Sequence, residues 1–196
     1  MNALPFRTAS LIAGFSLAIM AIISPFGLLV ALPAGNLHIT ALTVLIVAAL
    51  DILVAVALYS VLLQSGAFLA SCASAMRIAY AAIFVTSAGH LVGDSDVERF
   101  QAIWDMGLFV FGVHLVLVGL ALVRGTEFPT WLGILVAIAG AGYLFDAVNV
   151  ALAQNTSLSL GEFTFVGEIV LLVWLIVKGV RPVSNKNQQT IATEHA

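Results

Sequence analysis

Asp51, Arg77, His114 and Glu168 each stand inside a long apolar run, with no water nearby to solvate an ionised side chain. On membrane-insertion scales a charged group at mid-helix costs ~2.5–3.5 kcal/mol, so each must face an interior and find a partner. Asp51 and Arg77 have opposite signs, and an ion pair between them is the simplest expectation. Glu168 and His114 are then left to each other, as a neutral hydrogen bond or as a charged pair. A carboxyl beside an imidazole can pass a proton, which is the chemistry that proton-linked binding of a small molecule or ion uses. The structural alternative is interhelical glue, where polar contacts contribute about 0.6 kcal/mol each and fix register.

A second polar set surrounds helix five of the reading given below. Tyr143, Asp146 and Asn149 recur every three residues and share one helix face. With Asp105, and with His90 at the rim, they would form an outward mouth for a cation or an amine; the plainer reading leaves Asp105 and His90 solvated at the interface. Metal chemistry is not expected. His90 and His114 differ in depth by about 20 Å at ~1.5 Å of rise per residue, too far to share an ion held at ~2 Å. No serine–histidine dyad, histidine-glutamate-x-x-histidine sequence or glycine-rich phosphate loop occurs. The lone Cys72 offers neither a disulfide framework nor a thiolate site, and Lys178 lies too near a span boundary to hold retinal. An enzyme, a cofactor and a nucleic-acid partner are therefore not expected.

These residues need elements that place them. The chain of 196 residues is 62% hydrophobic and 9% charged, with a mean hydropathy of +1.13, far from the composition of a soluble domain. Six apolar runs approach the ~20 residues that cross ~30 Å of hydrocarbon. They run from about Ser10 to Leu32, Ile39 to Leu63, Ala67 to Val92, Ala102 to Val123, Trp131 to Ala153 and Phe163 to Val180. Short turns join them, Gln64-Ser65-Gly66 being the tightest. Alternation of period two is absent, which excludes a β-barrel. The first run is too long for a cleaved signal peptide, and Leu32 stands where a cleavage site after Ala34 needs a small residue. The expected fold is an all-α bundle of six transmembrane helices over residues 1–183, followed by a disordered polar tail at 184–196.

Six spans put both termini on one side. That side receives Arg7, Arg124, Lys178, Arg181 and Lys186; the other receives Arg99 with Asp94, Asp96, Glu98 and Glu162. Lys and Arg resist translocation, so the termini are expected in the cytoplasm and the chain in the bacterial inner membrane. Counted from that side, Asp51, Arg77, His114 and Glu168 lie ~14–18 Å deep, whereas Asp146 and Asp105 lie at ~23 and ~27 Å. Trp104 and Trp131 are expected as interfacial anchors, and Pro25 as a kink whose freed carbonyl Ser24 satisfies. Ser71, Ala75 and Ala79, and likewise Gly133, Ala137 and Ala141, form small-residue stripes for close packing, internal or against a second subunit. Residues 1–92 and 93–180 show no convincing repeat of the kind alternating-access transporters carry.

One stretch carries a resemblance. Leu108-Phe109-Val110-Phe111-Gly112-Val113-His114-Leu115 leads through Gly119 to Phe128-Pro129-Thr130-Trp131-Leu132-Gly133 and Ala139-Gly140-Ala141-Gly142-Tyr143-Leu144-Phe145-Asp146. Phe165-Val166-Gly167-Glu168 and Trp174-Leu175-Ile176-Val177-Lys178-Gly179 complete it. The order resembles the bacterial six-span family named domain of unknown function 4386, best between Leu108 and Gly179. Toward the N-terminus the resemblance rests on Asp51, Ala55-Val56-Ala57-Leu58-Tyr59 and Met76-Arg77-Ile78. It implies the six-span fold and brings no activity with it. The leading expectation is a binder of a small molecule or ion, extending to a proton-coupled carrier, centred on Asp51, Arg77, His114 and Glu168. Its rival is an accessory subunit that packs against another membrane protein or against its own copy.

Overall fold

A computed structural model of the chain describes residues 3–152, 160–161 and 165–181. Six α-helices account for nearly all of them, with no strand among the described residues: α1 Phe6–Pro25, α2 Leu37–Leu62, α3 Ala67–Gly93, α4 Val97–Arg124, α5 Thr130–Ala151 and α6 Val166–Val180. The first five are long and apolar enough to cross a membrane, and the chain is an all-α membrane bundle. The described part of α6 has 15 residues and spans ~22 Å at 1.5 Å per residue. The polar tail, Lys186, Glu162 and most of the loop expected between Gln154 and Glu162 lie outside the described residues.

The connections dictate the arrangement. Gly66 adopts φ +118°, a conformation open to glycine, and this turns the chain from α2 directly into α3. Each helix packs on the next in sequence, and α6 closes the circuit by packing on both α5 and α1. The result is a ring, and a ring of six leaves an interior.

Two details of the elements differ from the sequence reading. Past Pro25 the chain stays helical, and the turn that follows widens into a π-helix over Phe26–Ala31, with the Leu32 N–H donating to the Gly27 carbonyl at 3.0 Å. Gly27 makes that turn possible by lying flush on Thr43 of α2. Ser24 forms no hydrogen bond among the described residues and lines the interior instead. Helix α4 starts five residues earlier than expected, since the Asp96 carboxylate accepts the Arg99 N–H at 2.9 Å and caps it. Trp104 lies edge-on to Phe84 and Phe100 and lines the interior. Trp131 is half-exposed at the start of α5, edge-on to Trp174.

The closest backbone approach is between α4 and α5. Gly112 and Gly119 on one face Gly140 and Gly133 on the other, in antiparallel order and at matching seven-residue spacing. A Cβ on Gly140 would stand 2.6 Å from the Gly112 carbonyl oxygen, and one on Gly119 2.5 Å from the Gly133 carbonyl oxygen. Small residues at such spacing are how membrane helices gain contact where no hydrophobic force drives them together. The Gly133–Ala137 part of the helix-five stripe is thus internal packing, whereas Ser71, Ala75 and Ala79 of α3 face outward. Gly140→Ala should cost about 1–3 kcal/mol in reversible unfolding from detergent, as overpacking does. Gly89→Ala, where a Cβ meets nothing within 4 Å, should leave stability unchanged. Equal stability of the two variants would contradict the close approach.

Candidate functional site

The ring encloses a cavity of about 500 Å³, within the range of small-molecule sites. Its walls are mostly apolar, with residues such as Leu17 of α1, Leu28 of the π-helix, Phe84 of α3, Leu108 of α4 and Leu172 of α6. Into this surface are set Asp51 of α2, Arg77 of α3, Tyr143 of α5 and Glu168 of α6.

Asp51 and Arg77 form the expected ion pair, Nη2 to Oδ1 at 2.5 Å, with both side chains almost wholly buried. The tight α2–α3 turn sets them at equal height on adjacent antiparallel helices. The guanidinium reaches further, its Nη1 donating to His114 Nε2 at 3.2 Å, and it lies over the Phe111 ring with 5.5 Å to the centroid. His114 Nδ1 lies 2.8 Å from the Ala73 carbonyl. Arginine can only donate, so Nε2 must accept; the carbonyl can only accept, so Nδ1 carries the proton. His114 is thereby held as the neutral Nδ1–H tautomer between α3 and α4.

His114 does not meet Glu168. It lies behind Arg77, outside the cavity lining, while Glu168 accepts the Tyr143 hydroxyl at 2.8 Å on the α5 side. The physical reason lies in the ring: α4 turns His114 toward α3, and α6 has α5 and α1 as neighbours but not α4. Gly167 allows the contact, since its Cα lies against the Leu135 carbonyl and Ala139 of α5, bringing the next residue, Glu168, up to Tyr143. Glu168 remains within electrostatic reach of Arg77 and Asp51. The interior layer is therefore two groups: an Asp51–Arg77–His114 relay over α2, α3 and α4, and a Glu168–Tyr143 pair over α6 and α5.

The outer set is rearranged. Tyr143 belongs with Glu168 in the cavity wall. Asp146 accepts the backbone N–H groups of Leu160 and Gly161 at 2.9 and 2.6 Å, which ties the segment leading into α6 onto α5. Asp105 is half-buried and within electrostatic reach of Asp146. The Asn149 amide nitrogen is buried with no hydrogen-bond partner among the described residues. His90 pairs with Asp94, just past the end of α3, at 3.1 Å and outside the cavity lining. No group of three or more metal-ligating side chains exists among the described residues. The participation of Phe111, Tyr80 and Trp104 in the cavity wall was not read from the sequence. A signal was present: Phe111 lies three residues from His114, on the same face of α4.

Removing one member of a buried ion pair strands the other charge, at a cost of about 3–5 kcal/mol. Asp51→Leu should destabilise by that order in detergent unfolding, and Asp51→Leu with Arg77→Met should recover most of the loss. Additive effects in that double-mutant cycle would contradict the pairing.

The profile of the family described as Domain of unknown function (DUF4386) matches residues 95–179, which carry Phe111, His114, Tyr143 and Glu168. The chain is 38% identical over 130 residues to an uncharacterized protein of Archaeoglobus fulgidus, covering 66% of this chain and 77% of that one. No solved structure matches. Sharing that relative and the glycine-spaced half that builds the α4–α5–α6 wall, the chain belongs to the DUF4386 family.

Proposed function

We propose that this protein binds a small molecule or ion inside the membrane, in the cavity between Asp51, Arg77, Tyr143 and Glu168. The observation that carries the reading is the cavity itself: Asp51, Arg77, Tyr143 and Glu168, from four helices, converge on a space of about 500 Å³ whose walls are mostly apolar. A polar layer serving only as glue would close on itself and leave no room between its halves. Asp51–Arg77–His114 is the fixed half, braced by the Ala73 carbonyl and Phe111. Glu168 is the half open to exchange, with a single hydroxyl as its hydrogen-bond partner among the described residues. Proton-coupled carriage would use Glu168, because His114 is committed to Arg77 through its accepting nitrogen.

The test is native mass spectrometry of the full chain in the mildest detergent that keeps it folded. A reproducible small-mass adduct is expected, retained at least tenfold less by Glu168→Gln. Any pH dependence of its retention should flatten in that variant. A clean bare monomer, or pH dependence that survives the substitution, would contradict the reading.

The accessory reading keeps one specific support. Ser71, Ala75 and Ala79 form an outward face on α3, beside Phe68, which is 82% exposed. A stoichiometric second polypeptide in the same spectra would favour it.

The proposed setting is the bacterial inner membrane with both termini in the cytoplasm. Arg7, Arg124, Lys178 and Arg181 gather at one end of the ring, where Arg7 donates to the Gly179 and Val180 carbonyls and Lys178 pairs with Glu127. A fluorescent-protein fusion at the C-terminus should light up and an alkaline phosphatase fusion there should be inactive. The opposite pattern would reverse the orientation.

A further inference from the structure

The ring is not closed along its whole height. Near the termini α1 and α6 are clasped: Gly14 lies against Ile176, Gly179 against Leu11, and Arg7 holds the last carbonyls of α6. Further up, Ala21 and Pro25 of α1 and Leu29 of the π-helix that continues it, with Phe165 and Ile169 on the α6 side, line the cavity and are also exposed on the outer surface. Leu29 is 74% exposed and Ile169 39%. Residues that face both a cavity and the outside mark its mouth. Ala21 and Ile169 lie ~22 and ~16 Å from the terminus-bearing end at 1.5 Å per residue. That is mid-depth in ~30 Å of hydrocarbon, so the mouth gives onto acyl chains rather than water.

The chemistry inside is unbalanced in a specific sense. Asp51 is wholly buried, and its Oδ2 accepts no hydrogen bond among the described residues. Glu168 holds one hydroxyl contact. Arg77, the only cationic side chain among the described residues of the lining, spends Nη2 on Asp51 and Nη1 on His114, and only its buried Nε is left without a partner among the described residues. Asp51 Oδ2 and the Glu168 carboxyl thus keep acceptor capacity that a head group donating several hydrogen bonds would fill.

We propose that the occupant is a single-chain lipophilic amine that enters sideways from the bilayer between α1 and α6. Its ammonium group sits between Asp51 and Glu168, and its chain lies along the apolar wall and out through the mouth. This rests on the reading that the polar layer is a ligand site, and it adds the route and the head-group class.

The experiment places the full-length protein in phosphatidylcholine nanodiscs and measures retention of tetradecylamine, tetradecanol and tetradecanoate. The amine should be held at least tenfold more tightly than the other two. Ala21→Trp and Ile169→Trp, on opposite lips of the mouth, should each slow amine uptake at least tenfold. Ile22→Trp, at a neighbouring position that is 74% exposed and outside the lining, should leave it unchanged. If one lip variant fails to fold, the other carries the same test. Preference for tetradecanoate overturns the head-group assignment, and wild-type uptake in a folded lip variant overturns the route. A water-soluble adduct with no retention of the three probes overturns this proposal and leaves the binding reading standing. An empty protein under every condition removes both.

Discussion

Everything in this bundle is arranged around the cost of holding a guanidinium in hydrocarbon. Arg77 is 2% exposed, and a lone charge there would be worth many times what any neighbouring packing contact contributes. Asp51 neutralises it, His114 accepts from it, Phe111 covers it and Ala73 fixes the histidine. These partners belong to α2, α3 and α4, so satisfying one side chain fixes the mutual height and rotation of three helices. The remaining helices are then arranged around a rigid polar post rather than packed against a featureless apolar surface.

The other half of the ring is built by a different device. Glycines let α4 and α5 approach backbone to backbone, and Gly167 lets α6 follow onto α5. Two of these close approaches stand next to a polar residue, Gly112 two positions before His114 and Gly167 beside Glu168. Close packing and polar placement are thus one feature of the chain. A wider helix spacing would leave Tyr143 and Glu168 unable to meet. The clasp of α1 to α6 near the termini, with the two helices parting toward mid-membrane, leaves the interior open on a single flank among the described residues.

The fold was legible because hydrocarbon imposes length and polarity on every span, and the α2–α3 turn is short enough to force Asp51 and Arg77 to one height. The pairing of Glu168 was not legible. Counting residues gives depth but not azimuth, and His114 and Glu168 at similar depths point to different neighbours around the ring. Tyr143 was placed with the outer set for the same reason: its spacing to Asp146 was visible, its reach to Glu168 was not. The early start of α4 was available in Asp96, a capping residue followed by helix formers, whereas the place of Trp104 in the cavity wall was not. The continuation of α1 past Pro25 depends on Gly27 meeting Thr43, a contact between helices that no local pattern announces.

The central claim is that the space between the Asp51–Arg77–His114 relay and the Glu168–Tyr143 pair is a ligand site rather than a packing gap. An experimental density map of the protein in a lipid phase tests it most directly. The account predicts non-protein density within hydrogen-bonding distance of the Glu168 carboxylate, continuous with density between α1 and α6. A map with α1 packed on α6 along its full length and Glu168 bonded directly to Arg77 would contradict it.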